Sequence, residues 1–408
     1  MRLLFADCRQ ALLNTVLIAE QCRFSIMQRL DCPPIRPSEI SGDPAAVLSD
    51  LARRGLERRL DRRISPGGGT LRSGYRERLE IELQHICKMG HAPYFLLVHE
   101  CVSWAKARGI ALGPGLGSAP GSLVVYALEL CDIDPMAYGL QFERFLNPER
   151  ATGPAIDVEL DAAHMDALAD HLSSTWGKDK VGWPVAFNRL GGREAVRTTC
   201  MALGASDVEA SQEGALFSES TVPSLPRQAI EAAVLLRPNR IPAATVDGQE
   251  LTSHEVLSLA EHVRGLPIAI SHGDRENGFE AVAISALPLV ETVPIWEAGY
   301  LGLPTIHLDP EAAWGSGPTV LYLRREGVLG TIQVALREVA PTMRVEEIPL
   351  GDPDALAIVD SREVRAACHM NNPALSRALK RINPDRFEDV VAACALCRPS
   401  QLDRELKT

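Results

Sequence analysis

The length, composition and charge of the chain limit what it can be. It has 408 residues, of which 46% are hydrophobic, and this is enough for roughly two or three compact domains with buried cores. The formal net charge of -11 at pH 7 argues against a generally basic protein that coats nucleic acid, although a locally positive channel remains compatible with it.

The first 75 residues are predicted to form a helical segment. Leu, Ile, Val and Ala recur on one side of 11–21 and of 45–60, with a proline-containing link between the two. Charge runs on helices usually face solvent, so we expect the arginines of the second helix to be solvated rather than bound to phosphate. These arginines are Arg53, Arg54, Arg58, Arg59, Arg62 and Arg63.

Two further helices are predicted before the first glycine-rich motif. Three consecutive glycines at 67–69 predict a flexible boundary ahead of a helix over 76–88. A second helix is predicted over 94–106, and its aromatic residues are expected in the core.

A glycine-serine run, GPGLGSAPGS, occupies 113–122. A turn through Gly113, Gly115, Gly117 and Ser118 can bring backbone N–H groups close to a triphosphate. The apolar stretch 123–128 that follows would add the N-terminus of a helix, which also favours anions. The run therefore predicts a phosphate site.

A pair of carboxylates follows in the segment PAIDVEL at 154–160. Asp157 and Glu159 are two residues apart in an apolar setting, so in a strand their side chains would project from one face. Two carboxylates on one face can hold Mg²⁺ close to bound phosphates, as in a two-metal displacement. The pair predicts a catalytic metal site.

Downstream, helices are predicted over 161–176 and 191–203. The second carries Arg193 and Arg197 four residues apart, hence on one face. Further along, β-branched runs at 282–285 and 290–294 predict strands. Prolines between these regions are expected to shorten the helices of 206–264, and they are Pro223, Pro226, Pro238 and Pro242.

Cysteine usage and hydropathy indicate the cellular setting. The ten cysteines are scattered through apolar or helical segments, which is typical of reduced thiols. Cys394 and Cys397 form a single CxxC with no second pair, so a zinc site is not expected. No stretch approaches the roughly 18 apolar residues of a membrane span. We expect a soluble, cytoplasmic protein without membrane contact.

In order along the chain, these segments resemble the palm of the bacterial DNA polymerase III alpha subunit, the C-family of replicative polymerases. The resemblance rests on runs such as YRERLEIELQHICKMG at 75–90, GPGLGSAPGSLVVYAL at 113–128, FERFLNPER at 142–150 and NPDRFED at 383–389. It covers most of the chain.

The resemblance implies an α+β fold: a polymerase-beta-like nucleotidyltransferase palm, with a mixed β-sheet and helices, plus a helical thumb insertion and helical terminal segments. Its boundaries would be an N-terminal helical segment at 1–75, palm at 76–190 and 266–335, thumb at 191–265 and a truncated base of the fingers at 336–408. The family's phosphoesterase-like domain and most of its fingers are expected to be absent.

The resemblance also implies a function, that of a DNA-directed DNA polymerase in replication with primer-template DNA and dNTP as substrates and Mg²⁺ as cofactor. Other polymerase or replisome subunits are expected partners. Asp157 and Glu159 would be the catalytic metal ligands. The implied phosphate and nucleotide contacts are Gly115, Gly117, Ser118, Arg193 and Arg197. The alternative for the two arginines is that they are simply exposed to solvent.

Several positions depart from the family pattern. Leu116 stands where the family usually has arginine, Ala155 and Glu159 stand where it has aspartates, and an ungapped count places Tyr322 at its third carboxylate. A phenol is protonated at neutral pH and is a poor Mg²⁺ ligand. One hypothesis is therefore a polymerase with weak or absent extension. The alternatives are an inactive remnant that binds DNA, a nucleotide or the replisome, and a nucleotidyltransferase with another substrate.

Overall fold

The fold combines helices with a mixed sheet, which confirms the predicted α+β class. The computed structural model describes residues 9–21, 42–63, 69–147, 153–214, 244–246, 249–251, 253–272, 279–300, 302–341, 343, 345, 348–360 and 373–397. Within these residues, no helix is long and apolar enough to cross a membrane.

The helices and strands follow in chain order. The helices are α1 (Arg9–Gln21), α2 (Pro44–Arg63), α3 (Gly69–Lys88), α4 (Ala92–Ala107), α5 (Leu123–Ala127), α6 (Met165–Trp176), α7 (Gly192–Ala202), α8 (Asp207–Gly214), α9 (Ser253–Val263), α10 (Leu289–Thr292), α11 (Pro310–Gly315), α12 (Gly327–Val339), α13 (Pro353–Asp360), α14 (Pro373–Ile382) and α15 (Phe387–Leu396). The strands are β1 (Asp157–Leu160), β2 (Val181–Arg189), β3 (Ala244–Val246), β4 (Gln249–Leu251), β5 (Pro267–His272), β6 (Phe279–Ile284), β7 (Ile295–Tyr300), β8 (Leu303–Ile306) and β9 (Thr319–Arg325).

The chain divides into two compact units, each built from three segments. The sheet unit comprises Met1–Leu48, Cys87–Val98 and Asp166–Arg324. The turn unit comprises Ser49–Ile86, His99–Met165 and Arg325–Thr408.

The sheet unit is organised around β2. The strand order is β9-β6-β2-β8-β7, with β5 also pairing with β2. The first residues of β2 run antiparallel to β6, its middle runs parallel to β8, and its last residues run antiparallel to β5. Trp183 of β2 and Val282 and Ile284 of β6 are almost completely buried. The β-branched and aromatic residues that favour a strand thus also form its core.

Of the two strands predicted near the end of this unit, one is confirmed and one is wrong. The first three residues of the run at 282–285 lie in β6, but the run at 290–294 starts within the single turn of α10 and ends before β7 begins. Pro288 is the N-cap of that turn, and the Leu289 N–H donates to the Asp179 carbonyl at 2.7 Å. Val290 is 70% exposed, so its β-branched side chain contributes nothing to a sheet core.

The predicted thumb region contributes α7, α8 and α9 to the sheet unit. These helices pack through a small apolar cluster made of Val196, Cys200, Ala210, Val256, Leu257 and Ala260. The four prolines expected to shorten the thumb helices, Pro223, Pro226, Pro238 and Pro242, lie outside the described residues.

In the turn unit, α3 begins earlier than predicted, at Gly69 rather than at position 76. Arg72 in its second turn pairs with Asp61 of α2 at 2.9 Å and with Glu57 at 3.6 Å, while its side chain is only 15% exposed. These ion pairs couple the start of α3 to the end of α2, so the glycines at 67–69 do not delay the helix to position 76.

The arginines of α2 do not share one environment. Arg53 and Arg54 are exposed, as predicted, and each pairs with a carboxylate at 2.7 Å. Arg59, however, is only 7% exposed, so the prediction of a solvated side chain is wrong there. The reason is its position one turn after Gly55, on the side of α2 that closely approaches the Ala127 carbonyl at the end of α5.

Candidate functional site

The carboxylate pair lies on β1, as the strand pattern predicted. Asp157 and Glu159 are both half-buried, and the strand ends at the fully buried Leu160. Alternate residues of a strand share a face, so both carboxylates project to the same side.

The glycine-serine run, here called the glycine turn (residues 113–118), starts directly beside this strand. Leu112 forms an antiparallel bridge with Leu160, and the Gly113 N–H donates to the Glu159 carbonyl at 3.0 Å. The Asp161 N–H donates to the Ala111 carbonyl at 3.2 Å. The backbone ladder therefore brings together two motifs that are about 40 residues apart in sequence.

Two glycines of the turn make room for the two carboxylates. A Cβ at Gly113 would lie 2.6 Å from the Cβ of Glu159, and a Cβ at Gly117 would lie 2.7 Å from Oδ2 of Asp157. Gly117 also has a φ of +69°, which side chains with a Cβ rarely adopt. The glycine turn and the carboxylates thus form one surface, with Gly117 and Ser118 exposed to solvent.

The predicted phosphate contact at the N-terminus of the following helix is wrong. Glu82 of α3 occupies that end of α5, where one of its oxygens accepts from the Ser122 hydroxyl at 2.8 Å and from the Val124 N–H at 3.2 Å. A buried carboxylate at this position satisfies the donors and repels a second anion. α5 itself has only five residues, and phosphate binding by the glycine turn stays a prediction.

Glu82 is completely buried, and burial raises the pKa of its carboxyl above the ordinary value. Hydrogen bonds from Leu123, Ser122 and Arg78 oppose this shift. Arg78 donates to the second oxygen of Glu82 at 2.6 Å and to the Gly121 carbonyl at 3.1 Å. Arg78 and Glu82 thus bind the last two residues of the glycine-serine run, Gly121 and Ser122. Arg78 and Glu82 were not among the predicted site residues, and their only signal in the sequence is their i,i+4 spacing.

The predicted arginine contacts lie in the other unit. Arg193 and Arg197 are on α7 of the sheet unit, where Arg193 is exposed. Arg197 pairs with Asp207 at 2.6 Å and with Glu194, and these hydrogen bonds raise its pKa. Its guanidinium thus already has two carboxylate partners.

The positions that depart from the family pattern have ordinary local environments. Leu116 is half-buried within the glycine turn, and Ala155 is exposed just before β1. Tyr322 lies in β9 of the sheet unit, where it pairs with Ala281 of β6.

The two carboxylates of β1 suit a hard divalent cation. Mg²⁺ is usually held in proteins by one or two carboxylates together with water and substrate phosphates. Asp157 and Glu159 supply such a pair beside the exposed turn. Among the residues that the structure describes, no group of three His, Cys, Asp or Glu side chains could hold a metal ion.

Comparison with known families identifies the chain by two matches. A model described as the bacterial DNA polymerase III alpha NTPase domain matches residues 46–313, and one described as the bacterial DNA polymerase III alpha subunit finger domain matches residues 328–407. The first alone spans more than half of the chain.

Individual relatives agree with these matches. The chain is 31% identical to DNA polymerase III subunit alpha of Vibrio cholerae over 412 residues, which cover 98% of the chain and 34% of the relative. Identity to the Mycobacterium tuberculosis subunit is 31% over 404 residues (95% and 33%), and to the Escherichia coli K12 subunit 30% over 410 residues (98% and 34%). The chain therefore spans about a third of the length of the curated relatives that it matches. With the family models, this shows that the chain belongs to the bacterial DNA polymerase III alpha family.

Proposed function

We propose that the chain binds a deoxynucleoside triphosphate together with Mg²⁺ on the surface formed by β1 and the glycine turn, as the nucleotidyl-transfer palm of a DNA polymerase. The observation that carries this proposal is the direct apposition of Asp157 to Gly117 and of Glu159 to Gly113. A metal bound by the carboxylates would lie beside a turn whose backbone can reach phosphate oxygens.

Each element of the surface has a distinct role. Asp157 and Glu159 would hold the cation, which supplies charge neutralisation at the phosphates and activation of the attacking oxygen when bound. The exposed backbone of Gly117 and Ser118 would orient the phosphates through N–H groups. Gly113 leaves space for the longer side chain of Glu159, which helps a glutamate to serve where the family has an aspartate.

Arg193 and Arg197 are proposed as additional contacts to phosphate, of the nucleotide or of primer-template DNA. Arg193 is exposed on α7. Arg197 must first exchange one of its two carboxylate partners.

The second candidate function is a palm that binds nucleotide or DNA but extends primers weakly or not at all. The replaced positions Leu116, Ala155 and Tyr322 favour it, since each removes a charged group that the family pattern carries. A primer-extension assay with Mg²⁺ and with Mn²⁺ separates the candidates. Template-directed extension that depends on Asp157 supports the polymerase, whereas nucleotide binding without extension supports the binding protein.

Asp157→Ala is expected to weaken Mg²⁺-dependent binding of a dNTP by at least about 10-fold, since loss of one charged ligand interaction costs about 1.5–3 kcal/mol. Calorimetric titration with and without Mg²⁺ measures the effect. Asp170→Ala is the matched control, because Asp170 is an exposed carboxylate on α6. Equal affinities in the two variants would refute the proposed metal site.

Leu116→Arg is expected to strengthen dNTP binding by about 10-fold, because it returns one charge-assisted phosphate contact to the glycine turn. Leu116→Met, which changes the side chain without adding charge, is the control. The same titration at low and high salt checks the result, since the gain should shrink as salt screens the new charge. A gain shared by both variants would mean that side-chain charge is not its cause.

A further inference from the structure

The buried guanidinium of Arg59 makes a dense set of contacts inside the turn unit. Its Nη2 donates to the Cys131 carbonyl at 2.8 Å and to Oδ1 of Asp132 at 2.9 Å, and its Nε donates to the Tyr126 carbonyl at 3.2 Å. Its Cζ lies 4.3 Å from the centre of the Tyr126 ring. The charge is therefore paired, hydrogen-bonded and stacked, as a buried arginine requires.

The segment that Arg59 binds, residues 131–132, also contacts the glycine turn. The Asp132 N–H donates to the Pro114 carbonyl at 2.8 Å. Gly115 has a φ of +129°, and a Cβ there would lie 2.8 Å from the Cβ of Cys131. Both Cys131 and Asp132 thus contact the turn directly, and Arg59 binds both.

A guanidinium is required for this arrangement rather than a positive charge alone. One planar group donates at the same time to two residues of the supporting segment and to the end of α5 at Tyr126. An ammonium group is a point charge without a planar fork, so it cannot hold the three acceptors and lie over the ring in the same way.

We propose that Arg59 is a positioning residue for the phosphate site, which sets the place of the glycine turn through Cys131 and Asp132. The proposal rests on the proposed nucleotide-binding function, but its geometric part concerns the turn itself. Arg59 does not touch the nucleotide. It holds Pro114 and Gly115 in register with β1, so that Gly117 stays beside Asp157.

The test compares Arg59→Met and Arg59→Lys with Arg54→Met, a substitution on the same helix at an exposed arginine paired with Asp50. Amide hydrogen exchange is measured along the whole chain. In both Arg59 variants we expect exchange at the hydrogen-bonded amides of Gly113 and Asp132 to accelerate at least about 10-fold, with α3 unchanged. Arg54→Met should leave all these amides at the wild-type rate.

The functional readout is the affinity for a dNTP with Mg²⁺, measured on the folded fraction. We expect a loss of at least about 10-fold in Arg59→Lys, although this variant keeps the charge. If the wild type binds no dNTP, the proposed function fails, and the exchange data alone decide whether Arg59 positions the turn. Arg59→Lys remains informative if Arg59→Met does not fold.

Two outcomes would overturn the proposal. In the first, exchange at the amides of Gly113 and Asp132 is the same in Arg59→Lys as in Arg54→Met. In the second, exchange rises equally in α2, α3 and the glycine turn, which would mean that Arg59 supports the unit as a whole and has no particular effect on the turn.

Discussion

Gly55→Ala is expected to destabilise the folded chain by about 3 kcal/mol, near the upper end of penalties for overpacking a tight contact. A Cβ at position 55 would overlap the Ala127 carbonyl oxygen and lie 2.9 Å from its carbonyl carbon. Because the obstacle is backbone, no rotamer change can relieve it, and α2 and the end of α5 must separate. Urea denaturation followed by circular dichroism measures the loss.

Gly74→Ala is the matched control, because Gly74 also lies inside a helix of the turn unit and a Cβ there meets nothing within 4 Å. Alanine has the higher helix propensity, so this variant should gain up to about 1 kcal/mol. The same substitution thus has opposite signs at two helical glycines. A loss at both sites, or at neither, would contradict the close approach at Gly55.

Glu82→Ala is expected to destabilise the chain by about 3–5 kcal/mol, since it removes one member of a buried, hydrogen-bonded charge pair. The Ser122 hydroxyl and the Val124 N–H lose their acceptor, and Arg78 loses its carboxylate. Glu80→Gln is the control, because Glu80 pairs with Arg53 where both side chains are about half exposed, and such pairs contribute less than about 1 kcal/mol.

The contributions of the two glutamates to stability are expected to change with pH in opposite directions. Burial raises the pKa of Glu82. Its contribution to the free energy of unfolding is therefore full below the ordinary pKa of 4.5, and it is lost as the pH rises through the higher pKa of the folded state. The hydrogen bond from Arg53 lowers the pKa of Glu80, so its contribution is present above 4.5 and is lost as the pH falls.

Denaturation at several pH values from mildly acidic to neutral checks these directions. The stability difference between the wild type and Glu82→Gln should shrink as the pH rises, whereas the difference for Glu80→Gln should grow. Parallel curves for the two variants would mean that Glu82 is not buried as described. Subtracting the free energy of unfolding of each variant from that of the wild type removes the contribution of the titrating groups that all three proteins share.

The residues of the glycine turn and β1 show how much of the candidate site a local sequence pattern can predict. Alternation and apolar neighbours place Asp157 and Glu159 on one face of a strand, and the glycines at 113, 115 and 117 indicate a turn. These are properties of a few consecutive residues, so they could be predicted. The pairing of Gly113 with Glu159 and the apposition of Gly117 to Asp157 appear only in the folded chain.

Where prediction was wrong, a distant contact or a flanking residue decided the outcome. The helix after the glycine turn could have offered its N-terminus to phosphate, but Glu82, 40 residues earlier, already occupies it. The β-branched run at 290–294 begins in a helical turn, which the hydrogen bond from the Leu289 N–H to the Asp179 carbonyl holds at its start. Propensity is a weak prior, and such contacts override it.

The sequence by itself determined the α+β class, the helices from α1 to α7, the carboxylate strand and the polymerase family. Only the tertiary structure decided that Arg59 is buried and binds the segment that contacts the glycine turn. It also decided that Glu82 occupies the N-terminus of α5. The physical reason is that a charged residue in a helix looks solvated in any local pattern. Its burial depends on which partners the packing of remote segments places within hydrogen-bond distance.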